Sequence, residues 1–158
     1  MAHDCRINGN IQLKDGVTRD QVKAALSGFL DHHQANFERR EQKGEIYYEE
    51  SNGSLYLDIG FSGYGGFHNE EAEDMAKDLG ELSEDGEFFE LIDDDTGNDD
   101  ARCTPYFLAA PEKGRLEYGI QAMSEWVRPL VGNERFKAIV NDIRKAAEEA
   151  SNTKGASA

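Results

Sequence analysis

Apolar and polar residues alternate from Cys5 to Leu13. Cys5, Ile7, Ile11 and Leu13 fall on one side, and Arg6, Asn8, Asn10 and Gln12 on the other. Period two predicts a half-buried strand, with Gly9 as a bulge. The spacing then changes. In DGVTRDQVKAALSGFLDHH, Thr18 and Gln21 form a capping box, Val17 and Val22 a hydrophobic staple, and Val22, Ala25, Leu26, Phe29 and Leu30 one apolar stripe. This is an amphipathic helix. EIYYEESNGSLYLDIGF predicts a hairpin turning at Asn52-Gly53, which pairs Tyr48 with Leu57 and Ile46 with Ile59 on the core side. The same register pairs Tyr47 with Asp58 and Glu49 with Tyr56 on the other side.

After a glycine-rich stretch, Asn69 is a candidate N-cap for a short helix ending near Gly80. Ala72, Met75, Ala76 and Leu79 supply its stripe. A second hairpin follows, with strands near 87–93 and 101–108 around Thr96-Gly97-Asn98. Pro105 lacks an N–H for the ladder and places the later strand at an edge. Helical spacing returns at Leu116, Ile120, Met123, Val127 and Leu130. Pro129 and Gly132 interrupt it, and Asn133 caps a last helix bearing Phe136, Ile139, Val140 and Ile143. The expected fold is α+β: an antiparallel sheet with helices on one face, a ferredoxin-like split βαβ core, and an added C-terminal hairpin strand and helices. Residues 1–150 form one domain in this reading, and 151–158 a frayed tail. The opposite sheet face carries Arg6, Gln12, Tyr47, Glu49, Tyr56 and Asp58, open to solvent unless the C-terminal helices cover it.

Charge changes the picture. The chain has 158 residues with 32 acids against 17 bases, a formal net charge of −15. Residues 70–100 hold 15 of the acids and a single base, Lys77. A negative surface of that density repels nucleic acid and anionic lipid, and attracts lysine- and arginine-rich surfaces. No apolar run is long enough to span a membrane, and no basic-then-apolar leader is present, so the expected compartment is the cytoplasm. Two cysteines, Cys5 and Cys103, show no metal spacing and are read as buried strand thiols.

Candidate chemistry is sparse. GFSGYGGFHNEEAED resembles neither nucleotide-binding fingerprint, carries no lysine, and puts Glu70 and Glu71 where a phosphate would sit. IDDDTGNDD departs from the EF-hand loop at its two most restrictive positions, Asn98 and Thr104. The four histidines form no recognisable zinc or catalytic signature, so neither cofactor nor metal is expected. The expected function is that of a non-enzymatic acidic binding protein. It would be a polyanion mimic that blocks the basic surface of a nucleic-acid-binding partner, as small inhibitors from phages and mobile elements do. The expected contacts are Glu73, Asp74, Glu84, Asp85, Asp93, Asp94 and Asp95, with Tyr47 and Tyr56 as aromatic anchors. Two other classes stay open. One is a small-ligand or divalent-metal-dependent domain or enzyme built on the glycine loop at 60–70. The other is a structural or assembly subunit whose acids keep it soluble.

Overall fold

The computed structural model describes residues 2–64, 70–94 and 102–156. It divides into two units, Met1–Gly114 and Arg115–Ala158. In the first, the elements are β1 (Ala2–Gln12), α1 (Arg19–His32), α2 (Phe37–Gln42), β2 (Ile46–Glu49), β3 (Ser54–Tyr64), α3 (Glu70–Leu82), β4 (Phe88–Asp94) and β5 (Arg102–Phe107). The five strands form one sheet in the order β2-β3-β1-β4-β5, antiparallel at every step. The protein is therefore α+β.

Alternation decides the layers. Cys5, Ile7, Ile11, Leu55, Leu57, Ile59, Phe61, Phe89 and Leu91 are buried together with the stripes of α1 and α3. On the opposite side Arg6, Asn10, Gln12, Tyr47, Glu49, Tyr56 and Ser62 are exposed. Each fully buried aliphatic side chain contributes about 1.5–3 kcal/mol. The start of α1 follows its sequence signature: Gln21 N–H donates to the Thr18 hydroxyl, and Thr18 N–H donates to Gln21 Oε1 at 2.9 Å.

Several local expectations are corrected. The first hairpin pairs Ile46 with Leu57, Tyr47 with Tyr56, Tyr48 with Leu55 and Glu49 with Ser54, two residues away from the expected register. A shift of two keeps every side chain on its face. The turn is longer because Gly53 is tied to the end of β1: its carbonyl accepts from Leu13 N–H at 2.8 Å. Gly53 has φ +72°, and a Cβ there would stand 2.6 Å from the Leu13 carbonyl oxygen. Gly9 makes no bulge. It pairs regularly with Leu57 and Phe89, and a Cβ would come within 2.9 Å of Phe89 Cβ.

The strand β3 runs on through Tyr64, so Gly60–Tyr64 belongs to the sheet and not to a loop. The helix α3 passes Gly80 and ends at Leu82, where Leu13 bridges to Ser83. The short α2 was not expected; Asn36 caps it by accepting from Arg39 N–H, and Phe37 anchors it in the core. Pro105 does lie on an edge strand. Tyr106 and Leu108 take the buried side there, which leaves Cys103 exposed, while Cys5 is buried as expected.

The second unit is built from α4 (Pro111–Val131), which begins in the first unit, and α5 (Asn133–Ala156). The helix α4 continues through Pro129, which has no N–H to give the Glu125 carbonyl and so removes one hydrogen bond from the last turn. It ends where Gly132, at φ +83°, donates to the Arg128 carbonyl. The segment from 151 to Ala156 is helical. Ile120, Phe136 and Val140 form a small core supported by Leu116, Met123, Val127 and Ile143. Among the described residues, no helix is long and apolar enough to cross a membrane.

Candidate functional site

The helix α3 is held by its buried face. Ala72, Met75, Ala76 and Leu79 are buried, while Glu70, Glu73, Asp74, Lys77, Asp78 and Glu81 are exposed. Like charges three or four residues apart cost a few tenths of a kcal/mol per pair. Burying Met75 and Leu79 contributes several times that, so packing wins and the acids remain in line along the solvent side. Glu70, Glu71 and Glu73 occupy the first turn, where the positive helix end favours them. At the other end no base stands on the helix, but Lys14 from the β1–α1 connection donates to the Glu81 carbonyl at 3.0 Å.

The predicted contacts divide into three places. Glu73 and Asp74 share the exposed side of α3, and Glu84 and Asp85 are exposed in the turn that follows it. Asp93 and Asp94 lie at the far end of β4, opposite Cys5 and Asp4. The Cys5 thiol donates toward Asp93 Oδ1 at 3.6 Å. Tyr47 and Tyr56 form a cross-strand pair on the open sheet face, 56% and 41% exposed, on the side away from α3. The structure thus leaves the helix acids and the turn acids exposed on consecutive elements and pairs one tyrosine with the other, but does not bring the acids to the tyrosines. Asp95 and the Thr96-Gly97-Asn98 turn lie outside the described residues, as does the glycine stretch from Gly65 through Asn69.

Among the described residues, six cations pair with acids outside 70–100. Arg6 pairs with Asp58, Arg19 with Glu41, Lys23 with Glu38, Arg40 with Glu45, Lys137 with Glu134 and Arg144 with Glu117. None of those acids belongs to 70–100. Among the described residues one pair reaches into the window: His32 Nδ1 lies 3.1 Å from Glu71 Oε1, joining the end of α1 to the start of α3. Next to it, the His33 ring sits 4.6 Å from Phe29 and 4.3 Å from Phe61. Burial holds the His33 imidazole below its ordinary pKa. The neighbouring His32 lowers it further, and Glu71 partly offsets both. Burial also raises Glu87 above the ordinary carboxylate range. Among the described residues, no cluster of His, Cys, Asp and Glu is arranged to hold a metal ion.

One feature was not legible in the sequence. A groove of about 490 Å³ runs between α3 and the edge of β5, lined by Glu73, Ala76, Lys77, Gly80, Glu81 and residues 106–109. Its floor is apolar, from Ala76, Gly80, Tyr106 and Leu108, and its rim carries Glu73, Lys77 and Glu81. Burial raises the Tyr106 phenol above its usual pKa, and the nearby Glu73 raises it further. Only the small residues at 76 and 80, one turn apart, hint at this groove in the sequence. Compared with known proteins, the chain matches no family model, and no curated protein or solved structure matches it significantly.

Proposed function

We propose that this is a non-enzymatic acidic binding protein whose α3 and following turn engage the basic surface of a nucleic-acid-binding protein, acting as a polyanion mimic. One observation carries the reading. Glu73, Asp74, Glu84 and Asp85 are exposed along one helix and its turn, while among the described residues six cations pair with acids outside that window. Such a surface speeds encounter with a cationic groove and is screened beyond about 8–10 Å at physiological salt. The scaffold we assign to it is the ferredoxin-like split βαβ layout. The order β2-β3-β1-β4, with α1 following β1 and α3 following β3, supports this assignment, and β5 extends the sheet at the β4 edge. Short duplex DNA, added to the protein bound to its basic partner, should displace the protein competitively. Release by an uncharged polymer but not by DNA would rule out mimicry.

A second reading, that of an assembly subunit, is favoured by the helical hairpin of the second unit. Trp126 is 78% exposed and Leu130 84%, with Val131 beside them. Exposed side chains of this kind are the residues that bury on association. Replacing Trp126 and Leu130 with Ser should then lower the sedimenting mass, whereas an unchanged monomeric mass in both proteins would remove this reading.

A further inference from the structure

Resting on the acidic-binder reading, we infer that the groove between α3 and β5 is where the partner is anchored, and that it takes an apolar side chain flanked by lysine or arginine in an extended segment. The groove is a shallow, open depression of about 490 Å³. Small residues on α3 keep it open. A Cβ built on Gly80 would lie 3.5 Å from the Ala109 nitrogen and the Leu108 carbonyl carbon, ordinary contact distances, so a side chain at 80 would begin against the groove wall with no clash at its Cβ. Glu73 and Glu81, eight residues apart on the helix, are separated by about 12 Å along its axis.

Alternate residues of an extended chain share a face and repeat at about 6.6 Å, so residues i and i+4 span about 13 Å. A segment with cations at i and i+4 therefore matches the two rim carboxylates, and the apolar residue at i+2 falls over Ala76, Gly80 and Leu108. Lys77, exposed on α3, also lines the groove and lies between the two acids in sequence. It disfavours a cation at the centre of the segment. An added β-strand is the less suitable occupant, because Pro105 at the middle of β5 has no N–H to donate to it. A purely charge-driven contact would need none of the apolar floor.

The test uses the full chain and basic peptides in which Leu, Phe or Trp stands midway between two lysines spaced four apart. Amide shifts read by ¹⁵N NMR should saturate at residues 76, 80 and 106–109. Exchanging the central residue for Ser should weaken binding at least tenfold, and so should Gly80→Leu, a change favourable to helix and readily checked for folding. Glu73→Gln with Glu81→Gln should reduce the salt dependence while leaving the shifts at the floor. Equal binding of the Ser peptide, undiminished by Gly80→Leu, would overturn the groove and leave the acidic-binder reading standing. Absence of any salt-sensitive binding to these peptides would overturn both.

Discussion

The two units solve the same problem with very different resources. The first buries a continuous core from Cys5 to Leu108 between a sheet and two helices, and carries 26 acids against 10 bases. The second is a helical hairpin whose buried core among the described residues is Ile120, Phe136 and Val140, with 6 acids against 7 bases. A strong core tolerates a costly surface. In the first unit, like charges line α3 because the burial of Met75 and Leu79 outweighs their repulsion. The second unit has little surplus stability of this kind. Its charges are balanced instead, with Arg144 donating to both carboxylate oxygens of Glu117 at 3.0 and 2.8 Å across the hairpin. An exposed pair of this sort contributes about 1 kcal/mol at most.

The contrast can be broken most severely in the cores. Phe89 is fully buried, with its ring stacked on Tyr106 at 5.1 Å. Phe89→Ala should cost about 3–5 kcal/mol and move the main urea transition. Phe136→Ala should raise amide exchange across α5 while leaving the protection of β1 in place. Equal loss of protection in β1 from both substitutions would show that the units do not differ as described.

A smaller effect is expected at Gly53. Its left-handed φ and the 2.6 Å approach to Leu13 predict that Gly53→Ala destabilises the first unit by about 1–3 kcal/mol. A neutral result would mean that β1 does not fix the hairpin register.

The smallest effect comes from pH, and it should act on one unit only. The second unit contains no histidine, whereas the first holds His33 between Phe29 and Phe61. A lowered imidazole pKa means that the unfolded chain binds the proton more readily. The stabilisation is therefore complete above the ordinary value of 6.5 and is lost as pH falls from there toward the folded value. His33→Phe should flatten this dependence, as followed by thermal melts between pH 7.5 and 5.5. Persistence of the full slope in that variant would place the titrating group elsewhere.

Much of this architecture could be read from period and punctuation. Thr18 and Gln21 mark the start of α1, Pro105 marks an edge, and the stripe of α3 is explicit in Ala72, Met75, Ala76 and Leu79. The register of the first hairpin could not be read, because Asn52-Gly53 is the strongest local turn signal but Gly53 answers to Leu13, forty residues away. The pairing of Tyr47 with Tyr56 follows from that tertiary contact. Nor could α2 be read: six residues with one apolar anchor carry no period. The groove depends on Tyr106 and Leu108 arriving beside Ala76 and Gly80, a juxtaposition made by the sheet order and invisible along the chain. The charge map was fully legible, but its layout was not. The sheet sends Asp93 and Asp94 to the end opposite Glu84 and Asp85, which leaves α3 and the turn after it as the line of exposed acids.

The most direct test of that line is affinity capture from the native cell at graded salt, comparing the natural chain with one carrying Glu73→Gln, Asp74→Asn, Glu84→Gln and Asp85→Asn. A basic nucleic-acid-binding protein should be retained by the natural chain, fall away steeply as salt rises, and be lost from the variant at every salt concentration. Retention of the same proteins by both chains, with no dependence on salt, would contradict the account.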